Sequence, residues 1–396
     1  MTAARRAGNA PGVLIAGGGT AGHLMPGLAV ASALAERGWP SDGIHFVGSA
    51  KGIDSEIVPA AGFGVTLLGG RGLTARRVNL TNARAAASLV WATVRGIVLV
   101  GRRRPAAVLS LGGYAALPAT VGAVIWRVPL VIAEQNAVAS ATNRLLGRFA
   151  RAAAVPVSGT GLHREVVTGN PVRPEVIEAA LNAGHARTRR GWPADATVVV
   201  VFGGSLGSLR INTAVWSALP RLRERDGLFV YHVVGRRDFD HRPPEPSLRP
   251  AGSQVRNWYR AVPFDEHLPT ALAAADYAIC RAGASTVAEL SVIGTPAVLV
   301  PLPIATNDHQ RRNAEQLAAG GGARVVVDAE FDGERLLAEL DQMPGLQRRA
   351  ALDGAPEAAF SRRDSAQRVA QLVIEHSSAL PGSVAPENHS PRERAS

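Results

Sequence analysis

Short runs of near-continuous apolar residues, each closed by a glycine or polar turn and followed by a helix-like pattern, recur through both halves of the chain. In the first half they read VLIAG, GIHFVG, AAVLSLGG and VPLVIAEQN; in the second, VVVVFGGS, LFVYHVVG, ADYAICRAG and PAVLVPLP. Strands that alternate with helices form parallel sheets, and strands apolar on both faces are those that helices cover from both sides. The pattern predicts an α/β fold. With 396 residues, 46% of them hydrophobic, the chain exceeds one comfortable core, so two similar Rossmann-like domains and a cleft between them follow. The junction falls near TGNPVRPEV, Thr168 to Val176, where Pro171 and Pro174 interrupt any helix. This gives domains over 1–170 and 171–379. The remaining segment, 380–396, has almost nothing to bury and is expected to be disordered.

Composition narrows the function. The single cysteine, Cys280, excludes an intramolecular disulfide framework, and no Cys/His cluster has zinc-like spacing, so a reducing compartment and no structural metal are expected. Arg5 and Arg6 precede an apolar run, but Val13 to Ala16 is too short for a signal-peptide core. Ala85 to Val100 contains Arg95, and Ala115 to Ala133 contains Pro118, Arg127 and Pro129, so neither reads as a membrane span. The net charge of +11 favours polyanions: nucleic acid, anionic lipid or phosphorylated substrates. The arginines are scattered between apolar stretches without an aromatic platform, which disfavours nucleic acid. The Pro-rich stretch Arg236 to Gln254 predicts a long surface loop, in which Asp238-Phe239-Asp240 is an incidental acidic triplet rather than a metal motif.

Gly17, Gly19 and Gly22 fit the dinucleotide spacing GxGxxG between a strand and a helix. A dinucleotide site also needs an acidic residue about twenty positions on, to hold ribose hydroxyls. Here GIHFVG ends in Ser49-Ala50-Lys51, which weakens that reading, although the lysine would tolerate a phosphorylated ribose. His23 directly follows the last glycine. An imidazole there would crowd a pyrophosphate but could meet a reacting hydroxyl; the bland alternative is a histidine packed at a loop tip.

The second half repeats the unit. VVVVFGGSLGSLRIN offers Gly203, Gly204 and Gly207 for close backbone approach to an anion, the Ser205 hydroxyl, and a helix N-terminus carrying roughly half a positive charge. In ADYAICRAGASTVAEL, a small-residue turn leads into a helix bearing Glu289, which could accept two hydrogen bonds from a ribose diol or simply complement the helix dipole. Gln310 and Asn313 share one face of the helix begun by NDHQRRN, suited to sugar hydroxyls or to solvent.

Taken in order, GGGTAGHLMPGLAVA, LGGYAALPA, EQNAVASATNRLL, TGNPVR, FGGSLGS, CRAGASTVAEL and NDHQRRNAEQL resemble glycosyltransferase family 28, the bacterial peptidoglycan N-acetylglucosaminyltransferases, over about Val13 to Ala318. The resemblance implies the GT-B fold, an N-terminal acceptor-binding and membrane-docking domain and a C-terminal donor domain, with the last helix packing back on the first. It implies inverting transfer of GlcNAc from UDP-GlcNAc to the MurNAc 4-hydroxyl of undecaprenyl-pyrophosphoryl-MurNAc-pentapeptide (lipid I), giving lipid II, with no cofactor and no essential metal. Gly19, Thr20, Ala21 and Gly22, with Gly112, Gly113, Tyr114 and Glu134, would receive the acceptor diphosphate and sugar, and His23 would be the general base. On the donor side, the resemblance puts Asn136 near the sugar, Arg173 near the nucleotide, Ser205 at the α-phosphate, and the backbone of Phe264 and Asp265 at the uracil edge. Ala284, Ser285, Thr286, Val287, Ala288 and Glu289 would line ribose and sugar, Glu289 holding the ribose hydroxyls, while Gln310 and Asn313 read GlcNAc.

Two departures stand out: Ala133 precedes EQN where family members often have histidine, and Asp265 occupies a position that is often apolar. A polyisoprenoid acceptor places the enzyme at the cytoplasmic face of the cell membrane, as a peripheral protein on the anionic inner leaflet, with cell-wall and division proteins as further partners. In Leu73 to Arg104, the apolar Leu73, Leu80, Leu89, Val90 and Trp91 mix with Arg76, Arg77 and Arg84 in the manner of a basic-rimmed docking patch, whereas Val94 to Val100 reads as a core helix with arginines at its ends, and the two readings can hold for different faces. The competing readings are another GT-B transferase with a lipophilic acceptor, a sugar-nucleotide epimerase, and a non-catalytic cell-wall scaffold.

Overall fold

The computed structural model describes residues 12–50, 52–69, 80–204, 206–305, 308–346 and 360–379, with backbone alone for 80–84. Ser205, Leu73, Arg76, Arg77, the side chains of Leu80 and Arg84, and the 380–396 tail lie outside what is described. The first half runs β1 (Val13–Ala16), α1 (Ala21–Glu36), β2 (Ile44–Ser49), α2 (Asp54–Ala60), β3 (Gly64–Leu68), α3 (Leu80–Arg103), β4 (Ala107–Ser110), α4 (Gly113–Ile125), β5 (Leu130–Ala133), α5 (Ala141–Leu146), β6 (Ala152–Val155) and β7 (Glu165–Val167). The second comprises α6 (Pro174–Leu181), α7 (Ala183–Arg189), β8 (Thr197–Phe202), α8 (Leu209–Glu224), β9 (Leu228–Val233), β10 (Tyr259–Val262), α9 (Leu268–Ala274), β11 (Tyr277–Cys280), α10 (Ala284–Ile293), β12 (Ala297–Leu299), α11 (His309–Ala319), β13 (Ala323–Val325), α12 (Gly333–Gln342) and α13 (Ser365–His376).

All pairings are parallel, in the orders β3-β2-β1-β4-β5-β6-β7 and β10-β9-β8-β11-β12-β13. Along β1, Val13 and Ile15 enter one hydrophobic cluster while Leu14 and Ala16 enter another on the opposite face, which is why the strand is apolar throughout. Five strands go beyond the eight sequence runs. Four of them, β3, β7, β10 and β13, are sheet edges, where one flank is open and continuous apolar sequence is not required. The fifth, β6, is almost all alanine, a residue whose local preference is helical.

Strand order reverses between β1 and β4 in one sheet and between β8 and β11 in the other, and ligands of open α/β sheets bind beyond the carboxyl ends of strands at such points. Helix α13 buries Val369, Ala370 and Val373 against the first sheet's cluster, so the chain crosses between domains twice. The two crossings are tied: Asn170 N–H donates to the Phe360 carbonyl (3.0 Å), and Ser361 Oγ donates to the Asn170 carbonyl (2.5 Å).

One sequence expectation divides by face and one is corrected. The core reading of Val94 to Val100 holds for the face bearing Val100, while Val94 and Val98 are exposed on the other. Helix α3 rests on α4 through Gly96, where an added Cβ would stand 2.5 Å from Pro118 backbone, so the stripe opposite that contact faces outward. The 236–254 segment is not a surface loop throughout. Asp238 is buried and accepts from Asn212 Nδ2 (3.0 Å) and Arg237, and the Arg249 side chain is enclosed beneath α8.

Candidate active site

At the first reversal point the glycine turn is shaped by a carboxylate that the sequence reading did not single out. Asp54, wholly buried at the start of α2, accepts from Gly19 N–H with both oxygens (2.8 and 2.9 Å) and from Ser49 N–H (2.6 Å). A Cβ on Gly18 would lie 2.2 Å from Asp54 Oδ2, so glycine is required there for lack of space. The acid sought at the end of β2 therefore comes from the next helix and closes on the turn itself, occupying the Gly19 donor. The groups left for an anion are the Thr20 hydroxyl and the N–H groups of Ala21 and Gly22 at the start of α1, since those of His23 and Leu24 already donate to the Thr20 carbonyl (3.2 and 3.0 Å).

His23 sits in the first turn of α1, with Nδ1 3.1 Å from Thr20 Oγ1 and Nε2 facing Gly113, whose φ of 73° suits a residue without Cβ. Burial lowers the imidazole pKa below 6.5; the carboxylates of Glu134 and Asp54 oppose this, and His309 from the other domain reinforces it. Tyr114 OH meets Ser49 Oγ at 3.0 Å beside Gly19. Thus Gly19, Thr20, Ala21, Gly22, His23, Gly112, Gly113 and Tyr114 gather at one mouth, where β1 and β4 end side by side.

Glu134 lies deeper. Its Oε1 accepts from Gln135 N–H, Asn136 N–H and Asn136 Nδ2, each at 3.1 Å, and its Oε2 from Ser140 N–H and Asn143 Nδ2, each at 2.9 Å. Its carboxylate organises the turn after β5. Asn136 then reaches the second domain, where its Oδ1 accepts from Asn313 Nδ2 at 3.1 Å.

At the second reversal point Gly203 and Gly207 leave no room for a side chain, since a Cβ would approach Ser208 N at 2.2 Å and the Val234 carbonyl at 2.4 Å. Helix α8 is capped by Ser208. Across the β8–β11 boundary, Arg173 Nη2 and Glu289 Oε1 are 3.4 Å apart, which brings two sequence-selected residues together. Burial raises the Glu289 pKa, and Arg173 pulls it back. Ser285 Oγ and Arg173 Nε are both buried without a hydrogen-bond partner among the described residues, which is unusual for polar atoms and typical of a site that a ligand completes. Val287 and Ala288 are fully buried in the second core, so within 284–289 only Ser285, Thr286 and Glu289 present polar side chains. Gln310 Oε1 accepts from Leu302 N–H at 3.0 Å.

Phe264 is exposed, with the Arg236 guanidinium 4.6 Å from its ring centre. The Asp265 side chain is turned inward to Arg190 (2.5 Å), Tyr231 OH (3.0 Å) and His267 N–H (2.8 Å), leaving only backbone at the rim. The buried ion pair accounts for a charged residue at this position. His309, like Asp54, escaped the sequence reading; its position in NDHQRRN looked like an ordinary polar first turn.

The glycosyltransferase family 28 N-terminal domain matches residues 13–155, and the family 28 C-terminal domain matches residues 198–369. The chain is 40% identical over 374 residues to the UDP-N-acetylglucosamine--N-acetylmuramyl-(pentapeptide) pyrophosphoryl-undecaprenol N-acetylglucosamine transferase of Alkalilimnicola ehrlichii, covering 92% of this chain and 98% of that one. Identity to the enzyme of the same name from Desulforudis audaxviator is 36%, covering 82% and 88% of the two chains. The crystal structure of Acinetobacter baumannii MurG superposes with a TM-score of 0.68 at 25% identity, covering 92% of this chain and all of that one. With both domain types present in order around one cleft, the chain belongs to glycosyltransferase family 28 and, within it, to the MurG family.

Proposed function

We propose that the chain catalyses the reaction its family name describes, moving GlcNAc from UDP-GlcNAc to the MurNAc of undecaprenyl-pyrophosphoryl-MurNAc-pentapeptide in peptidoglycan synthesis. The observation that carries this reading is that the turn after β5 in the first domain meets α11 of the second directly across the cleft, Asn313 Nδ2 donating to Asn136 Oδ1 at 3.1 Å and Ala137 N–H to Asn313 Oδ1 at 2.9 Å. A hydroxyl held at the α1 mouth would attack the anomeric carbon of a sugar held from α10 and α11. His23 Nε2 takes the hydroxyl proton, the new C–O bond forms on the face opposite the departing group, and the bond to the diphosphate breaks with its electron pair leaving on UDP. The N-termini of α8 and α10 favour that negative charge. Ser285, Arg173 and Glu289 are the groups that would bind donor, and Glu289 exchanges its contact with Arg173 for ribose hydroxyls.

The test is UDP release from UDP-GlcNAc in chelator, with and without a lipid I analogue bearing a shortened prenyl chain. Acceptor-dependent UDP with a new disaccharide-lipid is expected. Acceptor-independent sugar release, epimer formation or no turnover would overturn the reading.

The acceptor's lipid brings the outer face of α3 into play. Val90 and Trp91 are each 65% exposed; Val94 and Val98 continue the stripe one and two turns on, and Ile125 and Trp126 extend it from α4. Arg95, Arg102, Arg103, Arg104 and Arg127 are exposed around it or at its edge. Ala85–Arg103 is long and apolar enough to cross a bilayer, yet Trp126 Nε1 donates to the Ile97 carbonyl (2.8 Å) and Gly96 is seated on Pro118. These contacts suit a helix lying on the surface rather than one leaving its domain. Trp91→Glu is expected to weaken cosedimentation with phosphatidylglycerol vesicles at least about tenfold, through lost apolar contact and added repulsion. Unchanged vesicle binding would remove α3 from the membrane face.

A further inference from the structure

We propose that Asn313 is a positioning residue that latches the donor helix α11 to the acceptor-domain turn 134–143, rather than a group that reads the sugar. Its side chain is wholly buried and fully engaged. Oδ1 accepts from Ala137 N–H at 2.9 Å, while Nδ2 donates to Asn136 Oδ1 (3.1 Å) and to the Ala282 carbonyl (3.3 Å). Two of these three partners belong to the first domain and the third to the turn after β11. One amide thus joins the cleft's two sides to the start of α10.

The partner turn is itself fixed from below. Glu134 gathers five donors, among them both the main-chain and side-chain N–H groups of Asn136, and Asn143 ties Glu134 to Ser110 Oγ (3.0 Å) at the end of β4. A continuous series of hydrogen bonds therefore runs Ser110–Asn143–Glu134–Asn136–Asn313. Helix α11 also carries His309 and Gln310 in its first turn, ahead of Asn313. Holding α11 at Asn313 sets how far the donor side stands from His23, and displacement of about 1 Å in such an arrangement costs on the order of a hundredfold in rate.

The kinetic part rests on the transfer reading above. Asn313→Ala and Asn136→Ala are each expected to lower the single-turnover rate by about 10- to 100-fold, and Asn313→Ala to leave UDP-GlcNAc affinity within about twofold. The double variant should be no slower than the slower single one, because both break the same link. Asn313→Asp keeps an acceptor for Ala137 N–H but loses the donors to Asn136 and Ala282, and should be as slow as the alanine variant. A sugar-reading Asn313 would instead weaken UDP-GlcNAc binding by tenfold or more with the saturated rate retained, and multiplying losses would show the two residues acting separately; either result overturns the latch.

A second measurement does not depend on turnover. Spin labels at Glu36→Cys and Glu224→Cys, both on exposed helix ends in different domains, report the interdomain distance, while the native Cys280 is buried. Asn136→Ala, at a half-buried turn position that leaves both cores intact, should lengthen or broaden that distance distribution. An unchanged distribution overturns the proposal. Absence of transferase activity in the parent chain would overturn the transfer reading alone, with the distance measurement still deciding the latch.

Discussion

His23→Ala is expected to lower turnover by about 10²- to 10⁴-fold, with UDP-GlcNAc affinity nearly unchanged, because removing a positioned base deletes a transition-state contribution rather than a donor contact. The geometry suits the imidazole to the role proposed for it. If Nδ1–H donates to Thr20 Oγ1, the Nε2 lone pair points to the Gly113 side, where the acceptor's sugar is proposed to enter. The pH dependence has a sign. A base works deprotonated, and burial lowers the His23 pKa, so the neutral form prevails through pH 7 and the acid limb of kcat/KM falls below pH 6.5. His23→Ala should lose that limb along with the rate. A variant with parental turnover, or one that loses donor binding in proportion, would remove His23 from the chemistry. Thr20→Val would separate orientation from basicity, since it leaves the imidazole in place without its Nδ1 partner.

The parts of this molecule legible in sequence are those where local pattern and tertiary role coincide. Strands buried on both faces are apolar at every position, so β1, β4, β8 and β11, which flank the two reversal points, stood out together with the turns that follow them. The edge strands did not, because their second flank imposes no constraint. Candidate site residues near such turns were likewise visible: His23 is in the first turn of α1, Arg173 caps α6 and Glu289 lies in the second turn of α10, and the last two make contact although separated by more than a hundred positions. What remained hidden depends on long-range pairing. Asp54 looked like one acid among several at a helix start, and only the fold shows it accepting Gly19 N–H from beneath. Asn136 and Asn313 have the chemistry of sugar-binding amides, and nothing local reveals that they are bound to each other. The same holds for Asp265, whose departure from an apolar residue becomes intelligible once Arg190 is found against it, stacked between Trp192 and Tyr231.

The Pro-rich segment is the plainest case of long-range pairing concealed by composition, and it carries the largest stability effect expected here. Arg249→Ala should cost about 3–5 kcal/mol and lower the melting temperature by about 10 °C. The side chain is 3% exposed and donates to the carbonyls of Leu222 (3.0 Å), Arg223 (2.8 Å), Arg225 (2.5 Å), Leu228 (2.9 Å) and Val255 (2.9 Å). The first three belong to the end of α8, where the dipole is negative and the Leu222 and Arg225 carbonyls have only long backbone bonds, from Arg225 N–H (3.2 Å) and Leu228 N–H (3.3 Å), so a distant guanidinium does the work of a C-terminal cap. Its plane lies 5.1 Å from the centre of the buried Trp258 ring, and Trp258 Nε1 in turn donates to the Ser247 carbonyl (3.2 Å). Truncation strands several buried carbonyls at once, although water entering the space would keep the loss below the sum of the separate bonds. Lysine cannot reproduce a planar fork reaching five acceptors, so Arg249→Lys should recover less than half of the lost stability. Arg256→Ala, on an exposed side chain just after that stretch, should stay within about 0.5 kcal/mol of the parent. Thermal unfolding followed by tryptophan fluorescence reads the transition, with Trp258 beside the substituted position among the six tryptophans that contribute. If Arg249→Ala melts with the parent, the α8 end is satisfied without this loop, and its proline-rich sequence is surface after all.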